Sequence, residues 1–366
     1  MGSLIHRSII HLASSSGRTG FLQELEVVMG QQVIIKDEIY GTHTVTEPVL
    51  VELLQCSRAL WRLATVHQAG ISGFLGLAPG RVTRFEHSVG VFLLVRLVGA
   101  SLEEQLAALL HDISHTAFSH VVDYAVFPPG ESSFHEVHKQ AYVRATEIPI
   151  ILDKHGFGDL RPLQEHLYPL VQRPSPRLCA DRVDYGLRDA LAFGKLRLDQ
   201  AHKIVKSIWA HPLPDSPLRM LVVEDEADAI VLARAYMATD AAVWSNPAHI
   251  DVCKKTGMLI GDAIRRGAIQ EASLWLLSDA ELWEELWNVA DADEQAAMLG
   301  LKEGGLPSER WLTLPRYAKV RTIDPDVCPV RWMDPTPLSK LSEVWENERD
   351  DYIASREAIR EATPAE

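Results

Sequence analysis

Residues 101–120 read SLEEQLAALLHDISHTAFSH, and two kinds of order meet inside them. The first half announces a helix, with Ser101 at the N-cap position and Glu104 three residues on, the pattern of a capping box. The second half is a run of potential ligands: His111 and Asp112 are adjacent, His115 and His120 follow, and His135 comes next in FHE. An ion that hydrolyses a phosphate ester needs imidazole and carboxylate ligands and open positions for water and substrate. Neighbouring residues such as His111 and Asp112 reach one ion from a helix end or kink.

Upstream, TRFEHSVGVFLLVRLVG (83–99) is apolar nearly all round, which predicts a deeply buried helix over 84–98 carrying His87. Downstream, RPSPR (173–177) breaks the chain before a helix that begins CADRVDYGLRD. On that helix Asp181, Tyr185 and Asp189 step by four and share a stripe, while Val183, Leu187 and Ala190 point inward. Arg84 and His87 are three apart and His111 and His115 four apart, so each pair shares a face if helical. A metal site drawing on His87, His111, Asp112 and Asp181 therefore lies between helices of a bundle. Singly, His87 reads more readily as a hydrogen-bonded core histidine, and the 181–189 stripe as a solvated face. Their order along one chain favours ligands instead.

The remaining sequence supplies a frame. Residues 25–46 alternate in the manner of a short hairpin, RMLVVED (219–225) reads as a strand, and long helices run from 226 to 266. Six tryptophans (275, 283, 287, 311, 332, 345) stand in a helical C-terminal stretch and are expected in the core or on a dimer surface. The expected organisation is an N-terminal segment (1–45), a main domain (46–270) and a helical C-terminal region (271–366). The fold class is mainly α with a few short strands.

Composition narrows the function. Fifty acidic against 36 basic residues leave a formal charge of -14, which disfavours duplex nucleic acid as a partner. A small anion is still compatible, because a local cluster of Arg, His and metal reverses the potential in a cleft. The four cysteines show no CxxC spacing and suit a reducing compartment. No apolar run reaches the ~20 residues of a membrane span. A cytoplasmic protein without membrane partners is expected.

TRFEHSVG, LLHDISHTAFSH and CADRVDYGLRD resemble the HD-domain phosphohydrolases, whose metal signature is H…HD…D, and are most similar to the deoxynucleotide triphosphohydrolase branch. The resemblance runs from about residue 37 through 192 and, more weakly, to 266. It implies an HD-domain helical bundle with a helical C-terminal extension. It also implies one divalent metal ion (Fe, Mn, Zn, Co, Ni or Mg) on His87, His111, Asp112 and Asp181. Catalytic roles fall on His115, His120 and His135, and substrate contacts on Gln68, Arg84, Arg182, Tyr185 and Asp189. Arg182 stands where the family usually has Lys, which keeps the charge and changes the geometry. The implied reaction is phosphate release from a nucleotide, and a homo-oligomer is compatible with it. The triphosphate branch adds a later arginine and tyrosine, both missing from MATDAAVWSNPAHIDVCKK (237–255), so a nucleoside monophosphate competes with a triphosphate. Two other classes stand beside this one: an HD-type di-iron oxygenase using the extra histidines, and a catalytically silent HD binding module.

Overall fold

In the computed structural model, residues 7–10, 21–28, 31–126 and 133–361 are described. Strands β1 (Arg7–Ile10), β2 (Leu22–Val28), β3 (Gln32–Asp37) and β4 (Gly41–Val45) make one antiparallel sheet in chain order. The hairpin expected over 25–46 is thus part of a four-stranded sheet. Every second residue of β3 turns inward: Val33 and Ile35 enter the core, and Asp37 meets the buried Arg188 guanidinium at 2.9 Å.

Helices follow. Ser57 ends α1 (Pro48–Cys56) and caps α2 (Arg58–Arg62) by accepting from the Leu60 amide. After α3 (Gly70–Phe74), a capping box between Thr83 and Glu86 starts α4 (Arg84–Leu97). Residues 84–95 of α4 are all buried, as its apolar circumference requires, and α4 packs between α5 (Leu102–Leu110) and α9 (Ala180–Ala192). Ser101 caps α5, but Glu104 does not complete the expected capping box. Its carboxylate is buried, accepts from the Leu170 amide and pairs with Arg219, so a tertiary partner displaced the local one.

Past α5 the chain leaves helix at once, runs through turns to Ser119, and resumes in α6 (Asp123–Val126), α7 (Phe134–Arg144) and α8 (Ile148–Lys154). Beyond α9, α10 (Leu198–Ser207) leads into β5 (Ile208–His211) and β6 (Met220–Val223), which join β7 (Asp326–Val327) and β8 (Thr336–Pro337) in a second sheet. The helical stretch from 226 divides into α11 (Glu226–Thr239) and α12 (Pro247–Arg265), separated by a wide turn over Asp240–Trp244. Pro247 at the first turn of α12 has no amide to continue the previous helix. The C-terminal region holds α13 (Asp279–Val289), α14 (Ala292–Glu303), α15 (Leu338–Leu341) and α16 (Glu343–Glu357).

The first sheet and α4 share the main core with Ile323, Val327, Leu338 and Trp345, while α12 to α14 close a second one around Phe118 and Val121. Of the six C-terminal tryptophans Trp345 is fully buried, whereas Trp311 and Trp332 are 79% and 86% exposed and do not belong to the core. No helix among the described residues is long and apolar enough to cross a membrane.

Candidate metal centre

Three helices bring their polar atoms to one point. His87 comes from the first turn of α4, His111 from the C-terminal end of α5 with Asp112 next to it, and Asp181 from the first turn of α9. His87 Nε2 lies 3.2 Å from His111 Nε2 and 3.1 Å from Asp181 Oδ1. Asp112 closes the other side, its carboxylate oxygens 3.5 Å from His111 Nε2 and 3.7 Å from His87 Nε2.

The second nitrogens of the two rings decide what this point can hold. His87 Nδ1 donates to Asp184 Oδ2 at 2.7 Å, and His111 Nδ1 donates to the Ala108 carbonyl at 2.8 Å. With the protons on Nδ1, the two Nε2 atoms converge on one point 3.2 Å apart, an approach that either a shared proton or a metal ion must bridge. His87, His111 and Asp112 converge as an ion requires, with Asp181 alongside at 3.1 Å from His87 Nε2, and this borderline N/O donor set fits a divalent ion.

The local field agrees. Burial pulls the His87 pKa down, but the hydrogen bonds to Asp181 and Asp184 outweigh it and push it up to about 9. The surroundings therefore call for positive charge at this nitrogen. Burial would raise Asp112, yet His111, Arg84 and His115 hold its carboxyl well below the usual carboxylate range.

His115, His120 and His135 gather in a second cluster beside the first. His115 is not on the face of α5 that the spacing predicted, because the helix ends at Leu110. It arrives from the following turn, with Nε2 3.3 Å from Asp112 Oδ1 and its ring stacked on His135 at 3.6 Å. Burial, with the Arg84 charge beside it, holds His115 well below the usual imidazole range, and burial, with His120 beside it, lowers His135 to about 3. Their Nδ1 atoms are buried without a hydrogen-bond partner among the described residues. His120 is more open and donates to Asp123 at 3.0 Å.

The expected substrate contacts divide. Arg84 is buried and already engaged: it donates to Asp112 at 2.6 Å and to Ser119 Oγ at 3.0 Å. Gln68 adjoins it through its backbone carbonyl, and its side-chain oxygen has no partner among the described residues. Tyr185 lies 6.3 Å from the His87 ring, hydrogen-bonds Tyr236 and packs on Trp244. Asp189 accepts from Trp244 Nε1 at 2.7 Å, and burial lifts it to about 6 despite that bond. Arg182 turns elsewhere: its hydrogen bonds end on the Arg173 and Arg177 carbonyls and Cys179 Sγ.

Several contributors were not legible in the sequence. Asp184 sets the His87 tautomer and is itself held by Arg188. Asp123 ties His120 to the start of α7 by accepting from the Phe134 amide at 2.8 Å. Asp279, from the C-terminal region, accepts from the Phe118 and His67 amides and so fixes the left-handed backbone of Phe118 and Ser119. Tyr236, just before the 237–255 stretch, is buried and hydrogen-bonds Tyr185, and Trp244 packs against both rings. Lys254 and Lys255, the cations of that stretch, pair with Glu361 and Asp251.

A model of the HD domain matches residues 84–185, the segment that carries all four candidate ligands. A metal-dependent phosphohydrolase, cns2, from Cordyceps militaris is 50% identical over 337 residues, which is 92% of this chain and 97% of that protein. The human deoxynucleoside triphosphate triphosphohydrolase SAMHD1 is 24% identical over 48% of this chain, a match spanning 36% of its own length. Among solved structures, a phosphohydrolase from Bacteroides thetaiotaomicron superimposes with a TM-score of 0.61 at 19% identity, covering 85% of this chain and 95% of that one; at such identity it shows the shared fold.

Proposed function

The chain belongs to the HD-domain metal-dependent phosphohydrolases, and we propose that its substrate is a nucleotide, with His87, His111, Asp112 and Asp181 as the ligands of its ion. The observation that carries this reading is the pair of facing Nε2 atoms 3.2 Å apart, flanked by two carboxylates and one arginine. A bound divalent ion supplies Lewis acidity for a phosphoryl oxygen and lowers the pKa of its water.

The side chains do the rest. Arg84 steadies Asp112 and adds positive charge where the phosphate gathers negative charge. Neutral His115 and His135 offer unpartnered Nδ1 atoms to a phosphate oxygen or to water. His120, exposed and oriented by Asp123, gives a proton to the leaving oxygen. Tyr185 and Trp244, backed by the buried Tyr236, form an aromatic wall beside Asp189, which supports a sugar and base next to the phosphate. The named activity of SAMHD1 supports a nucleotide as well. Arg182 is tied to backbone carbonyls and Lys254 and Lys255 are paired, which leaves Arg321, whose charge reaches Tyr185 and Tyr236, as the further cation for a phosphate chain. A nucleoside monophosphate is the better match. Four free thiols fit a cytoplasmic setting for that reaction.

The test is a product assay across nucleoside mono-, di- and triphosphates with each candidate metal. Orthophosphate from a monophosphate supports the reading, tripolyphosphate identifies a triphosphohydrolase, and no release from any nucleotide overturns a nucleotide substrate. One observation favours a second reading: His115, His120 and His135 also converge as an ion could require. Two irons per chain with oxygen consumption would establish the di-iron oxygenase; one ion per chain with phosphate release excludes it.

A further inference from the structure

A cavity of about 750 Å³ opens between α2, α7 and the Glu271–Trp275 turn, and none of its lining residues belongs to the metal centre. Its volume lies in the ~300–1,000 Å³ range of small-molecule sites. Its lining includes Arg58, Arg62, Tyr142 and Trp275, together with His138 and Leu276.

The lining has a definite chemistry. Tyr142 and Trp275 stack with centroids 6.2 Å apart at 22°, and the Arg62 guanidinium lies 5.5 Å over the Tyr142 ring. Arg58 is exposed at the rim. The acidic lining residue, Glu147, is already occupied: it accepts from Ser57 Oγ at 2.6 Å and from the Ala59 amide at 3.0 Å. Trp275 also stacks on Phe134 at 4.8 Å, so the cavity meets aromatic edges; these edges, two guanidinium groups and an apolar rim together suit an aromatic ring that carries negative charge.

The same side chains reach the backbone that follows Asp112. Arg62 donates to the His115 carbonyl and, at 3.5 Å, to the Ile113 carbonyl. Trp275 Nε1 donates to the Ser114 carbonyl at 2.9 Å, and Ser114 Oγ in turn donates to the His135 carbonyl at 2.9 Å. Arg62 Nε and Nη2 are bonded to Tyr142 Oη and to the Ile113 and His115 carbonyls, which leaves the exposed Arg58 as the guanidinium free to meet a ligand. Any shift of Arg62 or Trp275 toward a ligand is felt by the turn that positions Asp112, His115 and His135.

We propose that this cavity is a second ligand site, for a planar aromatic anion, and that its occupant acts on the metal centre through the Arg62 and Trp275 bonds to the 113–115 backbone.

1-Naphthalenesulfonate is a suitable probe because it has the ring and the charge but no phosphate to hydrolyse. Calorimetric titration of the metal-loaded protein should show binding that inorganic phosphate does not displace. Arg58→Glu, at an exposed position, should weaken it by about tenfold or more. Saturating probe should change kcat or KM for p-nitrophenyl phosphate in the wild type. In Trp275→Phe, which keeps an aromatic face but loses the bond to Ser114, the probe should still bind with a diminished effect on turnover. Absence of binding, unchanged affinity in Arg58→Glu, or displacement by phosphate overturns the site; binding without any effect on turnover overturns the coupling. The titration needs no catalysis, so its result stands apart from the nucleotide assignment.

Discussion

His87 Nδ1 lies 2.7 Å from Asp184 Oδ2, and both side chains are buried, Asp184 completely. Asp184 sits on α9 three residues after Asp181, so one helix supplies a candidate ligand and also the carboxylate that orients another. Arg188 Nε, one turn later, holds Asp184 at 2.9 Å, and its Nη2 reaches Asp37 on β3. Through this chain of contacts the N-terminal sheet supports the metal centre although it contributes no ligand.

Asp184→Asn removes the charge that faces both His87 and Arg188. Metal affinity should drop by roughly 10–100-fold, the usual loss when an outer-sphere partner is altered. Arg188 keeps Asp37 and loses one of its two carboxylate partners, so stability should fall by less than the ~3–5 kcal/mol of a wholly unpaired buried ion. Chelator competition and urea unfolding measure the two effects separately.

Gly90 on α4 makes a sharper demand on the same network. A Cβ there would stand 1.9 Å from Asp184 Oδ1 and 2.3 Å from Arg188 Nη2. Gly90→Ala should cost about 1–3 kcal/mol or more and loosen metal binding, because neither buried side chain can retreat. Gly300, exposed on α14 with nothing within 4 Å of its Cβ position, is the control. Gly300→Ala should gain about 0.5–1 kcal/mol in the same unfolding assay.

His111→Ala should abolish both metal retention and phosphate release. The substituted side chain bonds only the Ala108 carbonyl on its Nδ1 side, so the helix end should survive. Elemental analysis after gel filtration, alongside circular dichroism, distinguishes loss of the ion from loss of the fold.

Stability should depend on pH through His135, which burial lowers to about 3. The unfolded chain binds this proton near 6.5, so His135 contributes stability above that value and loses it as the pH falls toward 3, at most about 5 kcal/mol. Asp189, raised to about 6, has the opposite sign: its contribution is complete below the ordinary carboxylate range and is lost as the pH rises through 6. Urea midpoints measured from pH 4 to 7.5, wild type against His135→Gln, should show a flatter acid side in the variant. An unchanged slope would sink this assignment.

Read alone, the chain determined the helices that carry chemistry and the order H…HD…D that brings them together. α4 and α9 are recognisable because burial on one helix and a four-residue stripe on the other are local periodicities, visible without any partner. His87, His111, Asp112 and Asp181 are proposed as ligands from their order along the chain and the family resemblance, since singly His87 reads as a core histidine and the stripe as a solvated face. Glu104 and His115 show where local reading stops: Glu104 left its capping box for Leu170 and Arg219, and His115 left the α5 face because the helix ends at Leu110. The turn that replaces that helix is held by Asp279, 161 residues beyond Phe118. Only the tertiary structure could assign Asp184, Asp123, Trp244 and Asp279, since a carboxylate or indole becomes an orienting group when packing removes water and leaves it one partner.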